Sequence, residues 1–204
     1  MKIVLIRFIS IILTFFFVQG LYASSVKIES MNAICMNNEQ WQEVGKLWMV
    51  SFFNTYKSLP LSRIDSDIHG ESEDALADWL KRLFAKDQVI ALQNAYVFTL
   101  VYKDGQLLGY TLHHVLAQSS IIHIHHFVVD PNFQGQGIGK TLLSAVIRNH
   151  PEIESIVLTT RILNAPAREF YKHQGFYEIT EHIDNVQFDP SYSVLLKKDI
   201  KDIK

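Results

Sequence analysis

The stretch Phe127 to Leu143, FVVDPNFQGQGIGKTLL, decides how this chain is read. An apolar run gives way to a proline turn, glycine stands at 135, 137 and 139, and an apolar helical pattern follows. Glycine tolerates positive φ and lets another group come close to the main chain. Where a strand hands over to a helix, the first N–H groups lack intrahelical partners and the positive end of the helix dipole points at the same spot. Such a turn suits phosphate. The stretch therefore predicts an anionic ligand over residues 134 to 140. Two familiar phosphate loops do not fit. A Walker A loop would need glycine at 134, which is Gln134, and a dinucleotide fingerprint would need glycine at 140, which is Lys140.

Working upstream, Ser120 to Asp130 (SIIHIHHFVVD) reads as a strand, and AYVFTLVY–KDGQ–LLGYTLHHVLA reads as a hairpin turning at Asp104 and Gly105. Before the hairpin, Leu76, Trp79, Leu80, Leu83 and Phe84 share one helical face, which predicts a helix from Glu73 to about Lys86 with Ser72 as its N-cap. Trp41, Val44, Leu47, Trp48 and Phe52 predict another between Asn38 and Tyr56, and Val26 to Cys35 predicts a first strand. Downstream, a helix over Ile138 to Asn149 is followed by the strand SIVLTT. A short helix then runs from its cap Asn164 to Gly175, with Pro166 in the first turn. Last strands are expected near Tyr177 to Thr180 and Tyr192 to Lys197, and KKDIKDIK reads as a solvated tail. The fold class is α/β, a mixed and mostly antiparallel sheet flanked by helices.

With both segments in view, the chain resembles the GNAT superfamily of N-acetyltransferases. VVDPNFQGQGIGKTLL is similar to the family's coenzyme A motif [QR]xxGx[GA], with Gln134, Gly137 and Gly139 in the defining places, and LNAPAREFYKHQGF is similar to its second motif. The resemblance covers about Ala95 to Lys197. It implies a sheet splayed between the fourth and fifth strands, with acetyl-CoA as acyl donor. The donor's diphosphate would lie on the main chain of Gln134, Gly135, Gln136, Gly137, Ile138, Gly139 and Lys140. Its acyl arm would run beside Phe127, Val128 and Val129, with Asn164 and Tyr171 also touching it. An N–H near Val128 or Val129 would hold the thioester oxygen, and Tyr171 would be the general acid.

The resemblance also exposes a departure. Where the family often carries a glutamate base, this chain has HIHHF and Thr159. His125 or His126 stands as a substitute, since imidazole takes a proton near neutral pH. Strand alternation places His125 with Phe127 and Val129 and sends His126 to the other face. A tight link at QSS would bring His113 opposite His125 with His123 beside it, a set that could bind Zn²⁺. No carboxylate or thiol completes that set, and no metal is expected. Arg161 and Arg168 are left between ligand phosphates and surface pairing.

The first residues differ in kind. Lys2 and Arg7 precede an apolar run, Phe8 to Val18, and Ala23, Ser24 and Ser25 follow, so residues 1–25 read as a signal peptide or signal anchor and residues 26–204 as a single domain. Export (periplasmic or secreted) is the expectation if that leader is used, and a cytoplasmic location if translation starts at Met31 or Met36. A membrane partner is expected only for an uncleaved anchor. The whole chain carries a formal charge of −2, with its basic residues scattered, so no nucleic-acid partner is indicated. Cys35, the one cysteine, forms no internal disulfide. Two functions stay open: direct acetyl transfer from acetyl-CoA to a primary amine of a small molecule, peptide or protein, or an inactive coenzyme A-binding or protein-interaction module of the same fold. The acceptor groove is expected between the first two helices, their link at 57–72, and residues 184–190.

Overall fold

The computed structural model describes residues 26–200, so the leader-like segment lies outside the described residues. Seven strands form one sheet in the order β1-β2-β3-β4-β5-β7-β6. They are β1 (Val26–Asn32), β2 (Val97–Lys103), β3 (Gln106–Val115), β4 (Ile121–Val129), β5 (Ser155–Arg161), β6 (Tyr177–Ile179) and β7 (Ser193–Asp199). The sheet is mixed as anticipated: β4 and β5 run parallel, and every other neighbouring pair is antiparallel. The parallel pair needs a crossover, and α3 (Ile138–Asn149) supplies it.

Local chemistry sets the helix ends. In α1 (Asn38–Tyr56) the Asn37 side chain accepts from the Gln40 N–H while the Gln40 side chain accepts from the Asn37 N–H, a reciprocal cap. Ser72 caps α2 (Glu73–Gln93) by accepting from Ala75 N–H, with Glu73 and Asp74 at the positive end of its dipole. Asn164 accepts from Ala167 N–H at the start of α4 (Ala165–His173). The β2–β3 hairpin turns on Asp104 and Gly105, both at positive φ.

Three boundaries differ from the sequence reading. Helix α2 continues past Lys86 to Gln93, because Ala91 prolongs the buried stripe. The first strand stops at Asn32, whose side chain accepts from Ile34 N–H and starts a 3₁₀ turn over Ala33–Cys35. Lys198 and Asp199, expected in a solvated tail, belong to β7 and pair with β5.

Each sheet face has its own core. Under α1 and α2, Val44, Leu47 and Trp48 pack on Phe98, Leu100, Tyr110, Leu112 and Val128. Under α3 and α4, Leu143, Val146 and Tyr171 pack on Ile122, Ile124, Ile156, Leu158 and Leu196. Gly109 of β3 has no room for a side chain: a Cβ there would stand 2.7 Å from the Val128 carbonyl oxygen of the neighbouring strand and 3.2 Å from Ile138 and Leu142 of α3.

Candidate active site

β4 and β5 pair only from Ile121↔Ser155 to Ile124↔Leu158, yet β4 continues to Val129 and β5 to Arg161. Beyond that point the two strands diverge. Main-chain groups of residues 125–129 that face β5, and those of 159–161 that face β4, thus have no ladder partner across the gap. Into this splay opens a cleft of about 320 Å³ lined from both sheet faces, by Trp48, Asp87 and His126 on one side and Ala167 and Tyr171 on the other.

At the far end of β4 lies the glycine turn. Asp130 accepts from Asn132 N–H and starts a short 3₁₀ turn over Pro131–Phe133. Gly135 and Gly137 then adopt φ of 75° and 83°, and Gly137 is the N-cap of α3 with no side-chain cap of its own. Left-handed backbone favours glycine on steric grounds. Among the described residues no protein acceptor meets the main-chain N–H groups of residues 134–140. Gln134 and Gln136 turn their side-chain amides back onto the carbonyls of Val129 and Asn132, at 3.4 and 3.3 Å. The third glycine has a different reason. A Cβ at Gly139 would stand 2.8 Å from the Phe170 ring of α4, so its absence seats α4 against the start of α3.

Tyr171 comes from α4 and is buried against Phe127, Phe170 and Phe176, with ring centroids 5.8, 5.3 and 5.4 Å away. Burial pushes its phenol pKa up, and the nearby Tyr56 phenol adds to the shift, so Tyr171 stays protonated at neutral pH. Tyr56, from the last turn of α1, is pushed up to about 12 by burial, against the opposing pull of Arg161 and a hydrogen bond with Asn164. Asn164 thus caps α4 and lines the cleft at once. Arg161 is tied down within the protein: its guanidinium lies 2.6 Å from Asp65, 3.3 Å from Ser193 Oγ and 5.6 Å from the Trp79 ring centre. Arg168 likewise pairs with Glu178 at 2.6 Å.

The histidines correct the strand reading. Leu112 pairs with His126 but His113 pairs with Ile124, so His125 is an extra residue, a β-bulge. The bulge resets the alternation. His126 therefore shares the α1/α2 face with His125, instead of turning to the opposite one. His113 lies on the other face, hydrogen-bonded to Thr111 Oγ1 (3.2 Å) and His150 Nε2 (3.3 Å), across the sheet from His123 and His125. Its place beside them is taken by His114, whose Nδ1 is 3.1 Å from His125 Nε2.

The two candidate bases have unlike surroundings. His125 is pressed against other imidazoles and under the Tyr96 ring; burial first, then His123, His114, His126 and His113, lower its pKa to about 2. His126 has Asp87 Oδ2 at 2.9 Å from Nε2 and the Tyr110 hydroxyl at 3.3 Å from Nδ1, and its ring lies tilted against Trp48 with centroids 4.2 Å apart.

Asp87 and Tyr56 are cleft residues that the sequence reading missed. Both carried a signal. Asp87 falls on the stripe Leu76, Leu80, Leu83, Phe84, where a carboxylate has no reason to be unless it has a partner, but a helix ended at Lys86 hides it. Tyr56 follows Trp48 and Phe52 at helical spacing. The segments expected around the acceptor do meet here: Trp48 and Phe52 of α1, Leu83 of α2, Asp65 of the link, and Gln187, Phe188 and Asp189 of the late loop line the same cleft.

Comparison with known proteins points the same way. The model of the acetyltransferase (GNAT) family matches residues 42–176. A relative from Escherichia coli strain K12, the [ribosomal protein bS18]-alanine N-acetyltransferase, is 26% identical over 129 residues, which span 62% of this chain and 83% of that protein. Among solved structures, the PaiA N-acetyltransferase of Thermoplasma acidophilum in complex with coenzyme A superimposes with a TM-score of 0.63 at 18% identity, covering 86% of this chain and 99% of that one. A GNAT-family acetyltransferase of Staphylococcus aureus Mu50 superimposes with a TM-score of 0.62 at 19% identity, covering 87% and 100%.

Proposed function

This chain belongs to the acetyltransferase (GNAT) family and is an N-acetyltransferase; from that premise we propose that it passes the acetyl group of acetyl-CoA directly to a primary amine within a ternary complex. The observation that carries the reading is the splay between β4 and β5, with unpaired main chain along its walls and the protonated Tyr171 at its side.

The residues divide the work. Amides of Gln134 to Lys140, together with the dipole of α3, bind the diphosphate. The pantetheine arm lies along residues 127–129, where a main-chain N–H near Val128 or Val129 stabilises the thioester oxygen as it gains charge. A lysine-type amine, with a pKa near ~10.4 in water, reaches the cleft protonated and must lose that proton before it attacks. We assign this to the Asp87–His126 pair, where the carboxylate reaches the cleft and the imidazole behind it shares the proton. His125 suits the task less, because a base whose conjugate acid has a pKa of about 2 does not retain a proton at neutral pH. As the C–S bond breaks, the Tyr171 hydroxyl donates to the departing sulfur. A phenol this weakly acidic acts as a hydrogen-bond donor in the transition state, and solvent completes the protonation of the free thiol.

Calorimetry of the full chain with acetyl-CoA, followed by free-thiol release against a panel of primary amines, tests the reading. Binding together with amine-dependent thiol release is the expected result. Binding without release on any amine would favour the inactive coenzyme A module, and absence of binding would overturn both.

A further inference from the structure

Acetyl transfer as proposed makes no use of three histidines gathered on the α1/α2 face. His114 lies next to the end of β3, His123 stands opposite it on β4, and His125 is the bulge residue. Each offers a ring nitrogen within 4.8 Å of those of the other two. His114 Nδ1 and His125 Nε2 are already 3.1 Å apart. Two nitrogens bound tetrahedrally to one zinc at Zn–N distances of ~2.1 Å stand roughly 3.4 Å from each other. One edge of the set is therefore close to ligand spacing.

Two further observations point to a ligand and not merely to packed rings. His123 is buried, and its Nδ1 has no hydrogen-bond partner among the described residues. A buried polar nitrogen left unpaired is costly, and a metal ion is one partner that a neutral imidazole accepts as readily as a proton donor. Tyr96 stacks on His114 at 4.1 Å with the planes 4° apart and on His125 at 4.7 Å, so two of the three rings are held in place from behind.

We infer that His114, His123 and His125 form a binding site for one divalent transition metal of the zinc class. An all-imidazole set without carboxylates suits zinc, copper, nickel or cobalt and disfavours calcium and magnesium. Three protein ligands leave a coordination position for water or another small donor. Because His125 also lines the cleft, an ion held here sits at its wall. No net proton release is needed, since each neutral ring keeps its N–H on the nitrogen that does not bind the metal. The site stands independently of acetyl transfer, so its test does not depend on turnover.

The experiment uses the full chain, stripped with a chelator and then titrated with Zn²⁺ against a chromophoric zinc indicator. One ion per chain is expected, with a rise in melting temperature on saturation. His114→Gln, His123→Gln and His125→Gln should each weaken binding by more than about tenfold, the size already expected for losing an outer-shell partner of a metal site. The double variant His173→Ala/His182→Ala removes two exposed histidines elsewhere and should change nothing. If a cluster variant does not fold, the wild-type chain still decides: zinc should shift the imidazole resonances of three histidines and spare the others. Failure to compete with the indicator, binding that survives all three cluster variants, or binding lost in the His173/His182 variant would overturn the site.

Discussion

The glycine turn beyond β4 and the cleft wall around His126 lie on the same strand and its continuation, yet they are built in opposite ways. The turn is main chain: Gly135 and Gly137 at positive φ, amides with no protein acceptor among the described residues, and a helix that starts without a side-chain cap. The cleft wall is side chain: Asp87 from α2, His126 and its neighbour from a bulged strand, Tyr110 from β3, Trp48 from α1. In the proposed function the main-chain site recognises what every donor molecule shares, a diphosphate, and needs few particular residues. The side-chain site can be altered one substitution at a time, and the proposal puts the choice of acceptor there.

That contrast predicts which measurements each region controls. The largest effect belongs to Tyr171→Phe, which should lower turnover by about 10²–10⁴-fold while leaving acetyl-CoA affinity nearly unchanged. An unchanged rate in steady-state thiol release removes its role. Asp87→Ala breaks the hydrogen bond to His126, and chemical denaturation should show a loss of about 1.5–3 kcal/mol. Calorimetric affinity for acetyl-CoA should be spared, and a large fall would erase the division between the two regions. On the turn side, Gly139→Ala puts a methyl against Phe170 and should cost about 1–3 kcal/mol by the same denaturation assay.

Gly137→Ala meets no neighbouring atom but must hold φ near 83°, a strain of about 1–2 kcal/mol. Calorimetry should register it first as weaker acetyl-CoA binding, because the amides move with the backbone. If affinity holds while the acceptor KM rises, the comparison is reversed. The smallest effect is expected far from both regions. Arg82→Ala removes an exposed pair with Asp78 one helical turn away, and a shift of only about 0.2–0.5 kcal/mol in a denaturation midpoint is expected.

Legibility in the sequence followed the range of the forces involved. Gly135 and Gly137 were readable because positive φ is a property of a residue and its own peptide bonds. The caps at Ser72 and Asn164 were readable for the same reason. Gly139 is read from the sequence as part of the ligand turn, but the steric reason the structure shows for it is not local: the ring it must accommodate arrives from α4. Alternation groups His125 with Phe127, whereas the structure sets it on the face of His126, because alternation holds only while register holds and the bulge at His125 is settled by how β3 and β4 pair. The same slip exchanged His113 for His114 in the cluster. Asp87 was overlooked through a helix boundary, since packing carries α2 beyond the point where its apolar stripe thins out.

By itself the sequence determined the order of the elements, the two motifs that bracket β5, and the glycine-built start of α3, since each depends on residues close together along the chain. Tertiary structure alone decided which histidines face one another, that Asp87 reaches His126 at 2.9 Å, and that Arg161 is held by Asp65 instead of being free for a ligand phosphate. Those contacts join segments far apart in the chain, and their geometry exists only once strand register and helix docking have been chosen by the packing of the whole core.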